Sequence, residues 1–320
     1  MSDKKIILGR EELRGEEVTV IGGLGEIDLT DTLECGQAFR YEETARDDGY
    51  VEYLTVVGRS LLRIGQRRRG ELIFFGDEET AKTVVLPYFN ADTDFDAVRV
   101  DILSRTNSAV MAEAASASRG IVILKQEPWE TLFSFIISQN NNIPRIRKII
   151  RMICGEYGEN LAVRGELKKC PTGRINGTPC HENCKECGIC YTFPTAEEVL
   201  ARPEGLLPSH PGFRYRYLLD AAERVHSGDI SLEGIAKEHS YAYTLSELKR
   251  IVGVGDKVAS CVALFGFGNL EAFPIDVWIR RAIDTYFDGR LSAEELGPYA
   301  GVAQQYIFHY IRNTETKENK

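Results

Sequence analysis

A lysine just past a glycine turn, and an aspartate two residues after a proline, are the side chains of this sequence best placed to do chemistry. Both lie in Leu248–Arg281, LKRIVGVGDKVASCVALFGFGNLEAFPIDVWIRR. The turn Gly253-Val254-Gly255 lets bare backbone N–H groups approach whatever lies outside, and the apolar run beginning at Val258 predicts a helix directly after it. The first N–H donors of a helix lack partners and sit at the positive end of its dipole. The turn therefore predicts an anion site of the kind a phosphate fits. Lys257 falls in the first turn of that helix, where the dipole disfavours a cation. That field and an apolar surround favour the neutral amine, the form that attacks an electrophilic carbon. Pro274 predicts the start of a further helix, with Asp276 as its N-cap. Singly, these residues are a solvated lysine and an ordinary cap. As one ordered pattern they predict a nucleophile and a carboxylate serving one site.

The elements that position this pair are legible in outline. Residues 17–75 alternate or carry β-branched runs in EVTVIGG, VEYLTVVG, LLRIG and ELIFFG, which predicts an antiparallel sheet. From Asp92 the period turns helical. Trp129–Ile137 reads as a buried helix, stopped by Asn140–Asn142, with Pro144 in the first turn of the next. Thr195–Glu198 and Ser292–Glu295 are capping boxes. Residues 314–320 read as a disordered tail. The fold class is α+β, with a sheet domain at 1–118, a helical domain at 119–313 and an insert at 165–193.

The ordered pattern resembles the helix-hairpin-helix signature of the DNA glycosylase superfamily. Four further segments resemble, in order, those of 8-oxoguanine DNA glycosylases: LECGQAFRY (Leu33–Tyr41), FSFIISQNNNIPRI (Phe133–Ile146), PGFRYRYLLDAAERV (Pro211–Val225) and GPYAGVAQQYIFHYIR (Gly297–Arg312). The resemblance covers about Val18 to Arg312. It implies a TBP-like antiparallel sheet domain followed by an all-helical glycosylase domain. It implies a bifunctional glycosylase and abasic-site lyase acting on damaged double-stranded DNA. In that reading Gly253, Val254 and Gly255 hold backbone phosphate around a monovalent cation, Lys257 attacks C1′, and Asp276 supports the developing charge. Phe308 stacks on the flipped base, Gln304 bonds its pairing edge and Cys261 lines the other side. The Gly36 carbonyl accepts the N7–H that 8-oxoguanine has and guanine lacks. Asn140, Arg145 and Arg214 read the opposing cytosine, and Phe213, where the family more often has tyrosine, is the wedge. Trp278 departs from the family, many of whose members carry a phosphate-contacting histidine there. A glycosylase for alkylated bases is the enzymatic rival, but such enzymes generally lack the lysine. A catalytically silent damage-binding module and a metal-dependent regulator are the others.

Composition bounds the partners. The chain has 320 residues, 43% hydrophobic, and a net charge of −9. Attraction to DNA must then come from a local basic face, for which Arg145, Arg147, Lys148, Arg151, Arg214, Arg216, Arg280 and Arg281 are candidates. No signal peptide or membrane span is visible, and a monomer in the cytoplasm, associated with the nucleoid through DNA, is expected. Five of the eight cysteines, Cys170, Cys180, Cys184, Cys187 and Cys190, give C-x9-C-x3-C-x2-C-x2-C, with His181 among them. Four thiolates at such steps suit a structural zinc, an iron–sulfur cluster is the rival, and unliganded thiols come third. No cofactor is expected for catalysis.

Overall fold

The computed structural model describes residues 5–161 and 189–318, with the short backbone pieces Arg174–Ile175 and Thr178–Pro179 between them. Strands β1 (Ile7–Leu13), β2 (Glu16–Gly22), β3 (Tyr41–Asp47), β4 (Tyr50–Val57), β5 (Ser60–Gln66) and β6 (Leu72–Phe74) form one antiparallel sheet in the order β1-β2-β6-β5-β4-β3. The period of two sorts its side chains. Leu72 and Phe74 enter the main core, while Ile73 between them joins Val18 and Tyr50 in a small cluster apart from it. The apolar pattern anticipates β2, β4, β5 and β6. It misses β1 and β3, whose sequences ILGREEL and YEETARD each carry several charged residues and are mostly exposed or half-buried. Both are sheet edges, where charge blocks pairing with another chain and the burial that writes an alternating pattern is weakest.

Between the strands lies α1 (Leu29–Glu34), capped by Asp28. The helical region starts earlier than Asp92, with a helical stretch from Glu78 to Tyr88 that contains a π turn at Ala81–Val85. Then follow α2 (Phe95–Arg105), α3 (Ala109–Ala117), α4 (Pro128–Ser138) and α5 (Ile143–Tyr157), and beyond the insert α6 (Ala196–Ala201), α7 (Tyr215–His226), α8 (Leu232–Glu238), α9 (Tyr241–Leu248), α10 (Asp256–Gly266), α11 (Val277–Tyr286) and α12 (Ala300–Glu318). Both expected capping boxes form, at Thr195/Glu198 and Ser292/Glu295. The final helix continues to Glu318, past residue 314, because its last turns only propagate a helix already anchored in the core.

One apolar core links sheet and helices, running from Ile21 through Ile121–Leu124 to Ile311. Helix α4 is buried along Trp129–Ser138 and packs against α10, also buried from Val258 to Phe265. This pair of apolar helices sets the lysine of α10 beside the C-terminal end of α4.

Candidate active site

The chain reverses at Lys249–Gly255 between α9 and α10, the expected helix-hairpin-helix. Gly253 has φ +82°, and a Cβ there would lie 2.4 Å from Cδ2 of Tyr217. Only glycine lets the hairpin lie on that ring. Of the three donors expected to be bare, the Val254 N–H is engaged with the Ile251 carbonyl (3.1 Å), and just before the turn the Val252 N–H donates to the Asp220 carboxylate (2.7 Å). Gly255 caps α10 and has open space around it. Gly253→Ala is expected to lose about 1–2 kcal/mol to the left-handed backbone alone, with the ring clash in addition. Calorimetry should show a lower Tm, and fluorescence anisotropy a weaker grip on duplex DNA.

Lys257 is the second residue of α10, in the first turn as expected. Its Nζ donates to the Ser138 hydroxyl (3.2 Å) and stands 5.2 Å from the centre of the Phe135 ring. Ser138 donates in turn to the Phe135 carbonyl (2.7 Å), which turns its oxygen toward the amine. Sequence reasoning missed Ser138 and Phe135, because only the packing of α4 against α10 brings the end of α4 to the lysine.

Asp276 caps α11, accepting the Ile279 N–H at 2.8 Å. Pro274 lies two residues before the cap, and the helix starts at Val277 behind Asp276, as the expected cap requires. Burial pushes the Asp276 carboxyl above the ordinary aspartate range, and the Ile279 N–H and the Lys257 charge pull it partly back. The nucleophile candidate and the carboxylate thus come from two helix N-termini that face one cleft.

That cleft has a volume of about 1120 Å³, and Gly36, Phe39, Phe135, Lys257, Asp276 and Phe308 line it. Gly36 has φ +88°, and a Cβ on it would lie 3.3 Å from both Phe308 Cε1 and Ile143 Cδ1. The backbone there can approach the Phe308 ring only without a side chain. Trp278 also lines the cleft. Cys261 and Gln304 are buried and are not among the residues that line it. The Gln304 side-chain Oε1 accepts from Gln305 Nε2 (2.9 Å). Burial raises the Cys261 thiol, against the opposing influence of Lys257.

Of the residues expected to meet the opposing strand, Asn140 and Phe213 line the cleft, and Arg145 and Arg214 are not among its lining. Asn140 is exposed in the left-handed region at φ +51°, a conformation asparagine tolerates. Phe213 is 48% exposed and meets Tyr217 edge-on at 5.8 Å. Arg214 is buried and donates through Nε to the Gln139 carbonyl (2.7 Å), so it braces the peptide preceding Asn140. Burial, then the nearby charge of Arg145, depresses its pKa. The basic face is narrower than expected. Arg147 and Arg151 reach the Tyr41 carbonyl and the Glu42 carboxylate on the edge strand β3, and Arg147 lies 4.1 Å from the centre of the Tyr41 ring. They join α5 to the sheet, since the same polar edge that escaped the apolar pattern supplies their acceptors. Arg280 and Arg281 do line the cleft.

Of the cysteine insert, Cys170, Cys180, Cys184 and Cys187 lie outside the described residues. Cys190 is buried, and its carbonyl accepts the Leu161 N–H at 2.7 Å. Among the described residues no group of three or more His, Cys, Asp or Glu is arranged to hold a metal ion, and no helix is long and apolar enough to cross a membrane.

The model of the 8-oxoguanine DNA glycosylase N-terminal domain matches residues 21–132. The N-glycosylase/DNA lyase of Saccharomyces cerevisiae is 29% identical over 279 residues, 80% of this chain and 67% of that protein. The solved structure of MBOgg1 with a low-affinity DNA ligand is 30% identical, with TM-score 0.78, over 97% of this chain and 99% of that one. The Clostridium acetobutylicum 8-oxoguanine glycosylase/lyase, solved with double-stranded DNA containing cytosine opposite 8-oxoguanine, is 27% identical, with TM-score 0.77, over 97% and 98%. Fold, hairpin and cleft thus define a DNA glycosylase built on a helix-hairpin-helix. Within that class the chain belongs to the 8-oxoguanine DNA glycosylase/lyase family.

Proposed function

We propose that this enzyme flips 8-oxoguanine from opposite cytosine, excises it through a lysine Schiff base and cuts the strand by β-elimination. The observation that carries the reading is the meeting of Lys257 and Asp276 in the cleft walled by Gly36 and Phe308. A base must leave the stack before C1′ can be reached, and an aromatic face beside a side-chain-free backbone suits a flipped purine. Lys257 Nζ bonds to C1′ as the glycosidic bond breaks, and the base departs with the bonding electrons. Asp276 offsets positive charge on the sugar and takes the proton the amine sheds. The sugar ring then opens: the nitrogen lone pair forms the imine as the C1′–O4′ bond breaks and O4′ takes a proton. The imine acidifies the 2′ hydrogen, whose loss breaks the C3′–O bond. Gln304 and Cys261 complete the base pocket in this reading, and the Gly36 carbonyl accepts the N7–H of the lesion. Gly253, Val254 and Gly255, with a monovalent cation, hold phosphate.

Phe213 fills the gap in the duplex, and Asn140, Arg145 and Arg214 read cytosine. Arg145→Ala is expected to narrow the preference for cytosine by about tenfold, the worth of roughly one good base contact, while overall duplex affinity falls less. Excision measured with each of the four bases opposite the lesion tests both the activity and this readout. Equal loss on all four would remove Arg145 from it. Arg214→Ala should act through the Gln139 carbonyl as well, and so blunt excision generally. The insert takes a structural zinc from among Cys170, Cys180, Cys184, Cys187 and Cys190, an assignment resting on their spacing. The enzyme works as a cytoplasmic monomer on nucleoid DNA.

A further inference from the structure

We infer that Cys35 and Gln37 are positioning residues for lesion discrimination: together they aim the Gly36 carbonyl into the cleft. The inference rests on the excision activity proposed above. Gln37 is wholly buried, and every polar group of its side chain is engaged. Its Nε2 donates to the Thr32 carbonyl on α1 (2.9 Å), to the Val122 carbonyl (2.8 Å) and to Cys35 Sγ (3.4 Å). Its Oε1 accepts the Leu124 N–H (2.9 Å), and its backbone carbonyl accepts Gln126 Nε2 (2.8 Å). One side chain therefore ties α1 to the buried segment that leads into α4. Cys35 is buried beside it, with its thiol donating to the Thr32 carbonyl (3.3 Å).

Cys35 and Gln37 flank Gly36, and both are buried. Gly36 between them lines the cleft against Phe308. The anchors on either side hold the peptides that carry Gly36 against the core, and the carbonyl of Gly36 is the acceptor they present. At φ +88° a glycine has wide freedom of its own, and without an anchor on the following residue its carbonyl would be free to rotate. Packing alone does not ask for an amide at position 37, since a buried amide is tolerated only when its partners are met. The network makes the acceptor rigid, and a rigid acceptor is what separates a base with an N–H from one with a lone pair at that point.

The test compares Cys35→Val, which keeps the bulk and removes the sulfur acceptor, with Cys35→Ser, which keeps an acceptor. Two rates are read for each: excision of 8-oxoguanine opposite cytosine, and β-elimination at a preformed abasic site opposite cytosine, which needs no base recognition. The expected result is a loss of about tenfold in excision for Cys35→Val, the worth of about one hydrogen bond, with the lyase rate unchanged and excision restored in Cys35→Ser. Equal loss of both rates in Cys35→Val would overturn the inference by showing a merely structural role. Excision at the wild-type rate in Cys35→Val would overturn it by showing that the carbonyl needs no aim. If the wild type itself releases no 8-oxoguanine, the activity reading fails, and the inference with it, before any variant is compared.

Discussion

Lys257→Gln is expected to abolish the protein–DNA adduct trapped by borohydride and to lower release of 8-oxoguanine by roughly 10³-fold or more, the scale seen when a covalent nucleophile is removed. The adduct reports one bond only, from a protein nitrogen to C1′. Glutamine is one atom shorter but keeps a polar end directed at the Ser138 hydroxyl, and the wall formed by Ser138 and Phe135 belongs to α4 and stays in place. Stability should not fall with activity. A cation in the first turn of α10 opposes the helix dipole, and removing it is worth about 0.3–1 kcal/mol in the favourable direction. Lost activity with an equal or higher Tm is the mark of a residue held for chemistry at a cost to the fold. An adduct that survives the substitution would mean that another amine reaches C1′. Base release without an adduct in the wild type would mean that water is the nucleophile.

The parts of this fold legible in the sequence are those where burial writes a pattern. Strands β2, β4, β5 and β6, the buried helix α4 and its stop at the asparagines all follow from apolar spacing and caps. Strands β1 and β3 do not, because edge strands keep their polar residues exposed. The same gap explains Arg147 and Arg151. They read as a basic stripe for DNA only as long as their acceptors on β3 are unknown. Arg214 shows a related limit: a sequence marks it as a cation near the mouth but cannot show that it is spent on the Gln139 carbonyl. Lys257, Asp276, Gly36 and Phe308 were legible as separate motifs far apart in the chain. What the sequence could not supply is their convergence, which depends on α4 packing against α10 and on α12 returning past Gly36. Ser138 and Phe135 were hidden for the same reason, since nothing along the chain marks which end of α4 meets the lysine.

Asp276→Asn should separate catalysis from stability in the opposite sense to most core substitutions. Asparagine caps a helix about as well as aspartate, so the bond to the Ile279 N–H survives. Catalysis should fall by about 10²–10³-fold, as when one group facing transition-state charge is removed. The raised carboxyl fixes the sign of the stability change. Burial raises the folded-state value above that of the unfolded chain, despite the Ile279 N–H and the Lys257 charge. Between an ordinary aspartate value of about 4 and the raised one, the folded protein binds more protons than the unfolded chain. Stability therefore falls as pH rises through that window, and above it the whole cost of the buried charge is present. Asp276→Asn is accordingly expected to be more stable than wild type at pH 7, with the difference vanishing below about pH 4, where the carboxyl is neutral in both states. The same shift governs activity. Only the ionised carboxyl offsets charge on the sugar, so the acid limb of kcat/KM in the wild type should lie above the ordinary aspartate range, and the residual activity of the variant should lack it. Denaturation midpoints and rate profiles over the same pH series decide the matter. A variant less stable than wild type at pH 7 would show that the charge of Asp276 is favourable to the fold, and an unchanged acid limb would give that titration to another group.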